Sequence, residues 1–180
     1  MSCNISKGKN ALVCKNAISG FKAIYLANYD EYNFVTSSTD SGNILTDLGD
    51  LTEVFKYSLK NTGNSFSQAI TSNRDTGTTT FSPVLTFILT KLDKEMEYQV
   101  KMMAWGRPQV FVELSSGQIF LMGTEEGNEV AGTAQVGGAK DSLNGYTLTA
   151  TGVEKDPIFY LNDVSVTALK ALASASNIPG

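Results

Sequence analysis

With 180 residues, of which 42% are hydrophobic and 18% charged, the chain can bury an ordinary core and is read as a single domain over 1–180. A formal charge of -4, with only Arg74 and Arg107 as arginines and no cluster of cations, argues against a general nucleic-acid binder, whose affinity rests on clustered Lys and Arg. The absence of histidine rules out Ser-His-Asp triads, Cys-His dyads and His-bearing zinc sites, and Cys3 and Cys14 cannot complete a four-ligand zinc site alone.

Taken in chain order, "FKAIYLA" (Phe21 to Ala27) reads as a strand, after the break at Ser19-Gly20. Residues 28–50 are polar and turn-rich and read as a loop insertion, with "SSTDSGN" (Ser37 to Asn43) exposed. "VFKYSL" (Val54 to Leu59) alternates, with Phe55, Tyr57 and Leu59 on one face, as in a half-buried strand. Ser65–Asn73 and Thr78–Thr90 flank "RDTG", whose turn residues predict a long hairpin, with 61–80 set apart as the hairpin segment. In the second arm Phe81, Pro83, Leu85, Phe87 and Leu89 share a face, and Pro83, lacking an N–H, suits an edge or bulge.

The period then changes to that of a helix. Leu92, Met96, Val100 and Met103 form one apolar stripe, predicting an amphipathic helix over about 93–105 that docks on a sheet, with Thr90 and Asp93 as its N-terminal signal and Gly106 and Pro108 as its stop. "QVFVEL" and "QIFLM" predict two strands around Ser115-Ser116-Gly117. Residues 123–140 hold five glycines and read as a flexible arm or a bulged, weakened strand. Asn144-Gly145 marks a turn or strand entry before Tyr146, Leu148 and Ala150, which alternate with Thr147, Thr149 and Thr151. A short strand at Pro157–Tyr160, a weak helix at Val164–Ser174 and a frayed tail at 175–180 complete the expectation.

Each chemically suggestive feature has a plainer explanation. Glu125, Glu126 and Glu129 could face a hard cation, but the Asp-x-Asp-x-Asp-Gly pattern is missing and a solvated loop accounts for them. Gly137-Gly138 with Lys140 lacks the Gly-Lys-Ser/Thr of a phosphate loop. Trp105 beside Arg107 could stack on a ligand, yet an aromatic closing a helix is expected to cap a core, and Met96, Met102 and Met103 are expected to pack. Lys91, Lys94 and Lys101 have no apolar setting that would lower a lysine pKa. No catalytic residue, cofactor site or metal site is expected. Cys3 and Cys14 could pair but are expected as free thiols, and nothing in the sequence predicts passage across a membrane.

Three stretches occur together in order: "TFILTKLDKEMEYQVKMMA" (Thr86 to Ala104), "QVFVELSSGQIFLMGTEEG" (Gln109 to Gly127) and "DSLNGYTLTATGVEKDPIFYL" (Asp141 to Leu161). Together they resemble structural proteins of tailed bacteriophages, particularly phages of Bacteroidetes hosts including crAss-like phages. The resemblance covers the C-terminal half, and more weakly "RDTGTTTF" and "CKNAISGFKAIYLANYDEYNF". It implies a mainly β (α+β), tail-tube-like sandwich or barrel of two antiparallel sheets with one flanking helix. It also implies a non-enzymatic virion protein that closes into rings of six or twelve copies in the tail tube or the neck and collar. Other tail or neck and collar proteins would be its neighbours, and genomic DNA would pass through the lumen without specific binding.

On that reading the hairpin tip Arg74, Asp75, Thr76 and Gly77 and the arm residues Glu125, Glu126, Glu129, Gly132, Gly137 and Gly138 are the expected contacts between subunits or rings. The alternative is a soluble β-sandwich module that binds carbohydrate or peptide through Tyr29, Tyr32 and Trp105. A carboxylate-based hydrolase is a third reading, for which the sequence offers no acidic pair distinct from surface charge.

Overall fold

The computed structural model describes residues 5, 7–11, 17–29, 43–60 and 62–173. Cys3, Cys14, Tyr32, the loop "SSTDSGN" up to Gly42, and the tail 175–180 lie outside the described residues. The elements in chain order are β1 Phe21–Ala27, β2 Ile44–Leu45, β3 Phe55–Ser58, β4 Ser65–Asn73, β5 Thr78–Thr90, α1 Lys94–Trp105, β6 Gln109–Leu114, β7 Ile119–Met122, β8 Glu129–Val136, β9 Asn144–Thr151, β10 Phe159–Leu161 and α2 Asp163–Leu172. They build a mainly β structure from a six-stranded sheet, in the order β2-β10-β7-β6-β1-β3, and a four-stranded sheet, in the order β4-β5-β9-β8.

The six-stranded sheet is apolar on both faces because both are covered. Ile24, Leu26, Val110, Val112, Phe120 and Met122 pack toward the second sheet, against Leu85, Phe87, Leu89, Tyr146, Leu148 and Ala150. Tyr25, Phe111, Ile119, Leu121 and Phe159 turn the other way, under Leu48, Leu51 and Val54 of the β2–β3 connection and Leu169 of α2. This explains the near-continuous hydrophobic runs of β6 and β7. The four-stranded sheet alternates instead: Leu85, Phe87 and Leu89 point inward, while the opposite residues of β5 and β9 are mostly Thr and face outward.

Helix α1 docks by the expected stripe. Met96 and Met103 are buried, and Leu92 and Val100 pack against the same cluster. Its N-cap is Asp93, whose side chain accepts from the Glu95 N–H at 3.1 Å. Thr90 still belongs to β5, so the cap lies three residues later than the Thr90 signal suggested, and Lys91, at φ 74, makes the turn between them. Asn144 secures that turn: its carbonyl accepts from Lys91 N–H (2.6 Å) and its side chain from Leu92 N–H (3.2 Å).

Four expectations are corrected. The sheets are not wholly antiparallel, since β10 pairs β2 in parallel. The weak helix expected at Val164–Ser174 forms as α2, so two helices flank the sheets where the resemblance implied one; α2 is capped by Asn162, whose side chain accepts from the Ser165 N–H at 2.8 Å. The residues 123–140 are not a free arm, because Glu129–Val136 forms strand β8, paired along its whole length with β9. Trp105 caps no core and is 75% exposed. The turn signals and glycines that argued for a mobile arm were outweighed by an eight-residue ladder of backbone hydrogen bonds.

Candidate assembly surface

The register of the four-stranded sheet fixes what its two edges expose. In an antiparallel ladder, alternate residues direct their N–H and C=O to one neighbour and then the other. The Pro83 carbonyl accepts from Gly152 N–H and Lys91 N–H donates to the Asn144 carbonyl, so the odd residues of β5 bond toward β9. Ile88 N–H is taken by the Asn64 side chain, on the β4 side, as the alternation requires. With Ser67 opposite Val84 and Ala69 opposite Ser82, the backbone groups of Phe66, Gln68, Ile70 and Ser72 therefore turn away from the sheet. By the same count on β8, where Gly137 N–H reaches the Leu143 carbonyl, Val130, Gly132, Ala134 and Val136 turn theirs away.

Among the described residues no strand pairs with the outer side of β4 or β8, although α1 packs beside β8, and the two edges run in opposite directions. Ile70 (65% exposed) and Val136 (67%) place apolar side chains beside them. Beyond the last β5–β9 pair, Val84–Thr151, the β4–β5 hairpin continues as a two-stranded finger. Among the described residues it is tied back by the bridge between Phe81 and Glu154, by Gly152 N–H to the Pro83 carbonyl and by Ile158 N–H to the Gln68 side chain, each at its base.

The residues expected at subunit contacts fall in three places. Arg74, Asp75, Thr76 and Gly77 form the exposed tip of the finger, where the Asn73 side chain accepts from Asp75 N–H at 2.9 Å. Glu125, Glu126 and Glu129 are exposed at the β7–β8 loop and the start of β8, toward the same end of the sheet. Gly137 and Gly138 lie in the β8–β9 connection at the opposite end. Gly132 has a role inside the chain: a Cβ there would sit 2.2 Å from the Thr147 carbonyl oxygen, so glycine lets β8 approach β9 closely. Glu125 is drawn to Lys155 by an ion pair.

A buried polar cluster, which sequence patterning did not reveal, holds the loop that leads into β8. Glu154, 6% exposed, accepts through Oε2 from the Thr124 hydroxyl and the Glu125 N–H, each at 3.3 Å. The Gln109 side chain donates to the Thr124 carbonyl (3.2 Å), and the Asn128 side chain donates to the Pro108 (2.9 Å) and Met122 (3.1 Å) carbonyls. Thr124, Glu154, Asp156 and Pro83 line a small cleft beside it. Burial pushes the Glu154 carboxyl above its usual range, and the bonds from the loop only partly oppose that. Alternation marks Glu154 as an ordinary loop residue, and only the fold buries it.

A second network, on the far side of the six-stranded sheet, is structural. Glu113, 1% exposed, accepts from the Tyr25 hydroxyl at 2.7 Å and pairs with Lys170 of α2 (2.9 Å) and with Lys22 (3.3 Å). Burial would raise its pKa, but Lys170, Tyr25 and Lys22 together bring it below the ordinary value. It fastens α2 to the sheet.

These opposite shifts give a testable pH dependence. A carboxyl raised by folding is better held protonated, so the Glu154 contribution is fully present below the unfolded pKa and fades as pH rises through the folded one. Glu113 is the reverse: its contribution fades as pH falls through its lowered value. Glu154→Gln should melt above the parent chain at neutral pH, with the gap closing on acidification toward the usual carboxylate range. A gap in melting temperature that stays constant across that range would mean that Glu154 is not the titrating group.

Among the described residues no three His, Cys, Asp or Glu side chains group as a metal site, and no helix is long and apolar enough to cross a membrane. Comparison with protein-family models, curated proteins and solved structures gives no match for this chain.

Proposed function

We propose that the chain is a non-enzymatic structural protein of a tailed-phage virion that closes into homo-oligomeric rings of six or twelve copies, in the tail tube or the neck and collar. The observation that carries this reading is the pair of oppositely directed edges on one sheet that no strand covers among the described residues. Rotation of copies about an axis parallel to the strands brings β4 of one beside β8 of the next, antiparallel, and a closed ring leaves no edge unpaired. The finger of the β4–β5 hairpin supplies a reach beyond the sheet, toward a neighbouring copy or the next ring.

The outward face of the same sheet suits the inner wall of such a ring. Its rows run Ser67-Val84-Thr151-Glu129, Ser65-Thr86-Thr149-Ala131 and Ile88-Thr147-Thr133, with Glu129 as the one charge. Thr86 and Thr149 are within hydrogen-bond distance there, at 3.3 Å. A wall without Lys or Arg offers DNA no counterion release, so the genome passes without being held. The resemblance to phage structural proteins in the C-terminal half supplies the class of particle and the neighbouring tail or collar proteins.

Negative-stain electron microscopy with native mass spectrometry tests the reading. Rings with a central hole are the expected result, and their subunit number gives the symmetry. A monomer at every concentration, combined with binding on a glycan or peptide array, would replace the ring with the ligand-binding module.

A further inference from the structure

We propose that the outer face of α1 is a second self-association surface, which takes the acidic β2–β3 loop of another copy. This goes beyond the pairing of strand edges, and rests on different residues. Lys94, Tyr98, Lys101 and Trp105 are spaced four, three and four residues apart, so they form one stripe, opposite the buried Met96 and Met103. Trp105 is 75% exposed and Tyr98 58% exposed. The Lys101 ammonium lies over the Trp105 ring, 4.2 Å from its centroid, and Arg107, just past the helix, stacks on Tyr29 at 4.1 Å. Among the described residues neither Lys94 nor Lys101 forms an ion pair within the chain.

Exposed Trp, Tyr and Arg are the residue types that dominate protein interfaces, and an ordered stripe of them does not arise from folding, which α1 satisfies with its other face. The occupant follows from charge. The stripe carries two lysines, Lys94 and Lys101, that no carboxylate among the described residues pairs, on a chain that is acidic overall, which asks for a negative partner. Residues 44–55 provide one: Asp47 and Glu53 are exposed there with no Lys or Arg in the segment. That loop crosses the outer face of the six-stranded sheet, packed down by Leu48 and Leu51, so it lies on a different surface from α1. Contact between the two is head-to-tail, between copies.

The test separates this contact from edge pairing by using Ile70→Pro, which blocks the β4 edge, as the background. Sedimentation velocity of that variant should still show association that weakens with added salt. Trp105→Ala in the same background should raise the dissociation constant at least about tenfold while leaving the melting temperature unchanged. Lys94→Glu with Lys101→Glu should abolish the contact, and mixing that variant with Asp47→Lys, Glu53→Lys copies should restore it. A strictly monomeric Ile70→Pro variant, association indifferent to Trp105→Ala, or a mixture that fails to associate would each overturn the proposal. Rings in the parent chain would survive all three outcomes, which keeps the two surfaces distinguishable.

Discussion

Replacing Met96 by Asp should unfold the protein or leave it insoluble, at a cost of at least about 4 kcal/mol, the sum of a large-to-small core loss and a carboxylate forced into apolar surroundings. Met96 is 9% exposed and lies in the cluster that contains Val130, Tyr146 and Leu148, between α1 and the inner face of the four-stranded sheet. The damage would not stay on the helix. Tyr146 donates its hydroxyl to Glu97 at 2.7 Å, and burial with that bond pushes its pKa up to about 12, so α1 and β9 are locked by adjacent residues of one helical turn. Met96→Leu, similar in volume and equally apolar, should cost less than about 1.5 kcal/mol. Denaturant melts of the two variants check this, and a normal midpoint for Met96→Asp would show that α1 does not pack by this face.

The stripe was legible because helix spacing and burial agree at Leu92, Met96, Val100 and Met103. The hairpin of β4 and β5, the β6–β7 pair and β9 were legible for the same kind of reason: each carries its own alternation and its own turn residues. Strand β8 was not. "EVAGTAQV" has only Val130 buried, and its strand character comes from pairing with β9, which no local pattern reports. Likewise α2 reads as weak because its partners, Leu45, Val54 and Glu113, lie in distant segments of the sequence. The exposed Trp105 inverted its expectation, since composition cannot tell an aromatic that closes a core from one held out beside a lysine. Glu154 and Glu113 were invisible for a related reason, because both become buried only when distant segments close over them.

Ile70→Pro and Ala134→Pro should each leave the monomer folded and abolish rings. Proline removes a backbone N–H, and inside a ladder that loss breaks the sheet, but the alternation of β4 and β8 directs these two amides away from their own neighbours. Ile70 is opposite Phe81 and Ala134 is opposite Tyr146, both at positions where the bonding groups of the edge strand face outward. The matched controls are Ala69→Pro and Thr133→Pro, one residue away, which remove inward amides opposite Ser82 and Thr147 and should lower the melting temperature sharply. The contrast within each pair matters more than either variant alone, because an outward amide has a value only if another strand uses it. Electron microscopy and melting curves on all four proteins read out both halves. Rings formed by Ile70→Pro and Ala134→Pro as readily as by the parent chain would remove strand pairing from the assembly, leaving the finger tip Arg74 to Gly77 and the α1 stripe to carry it.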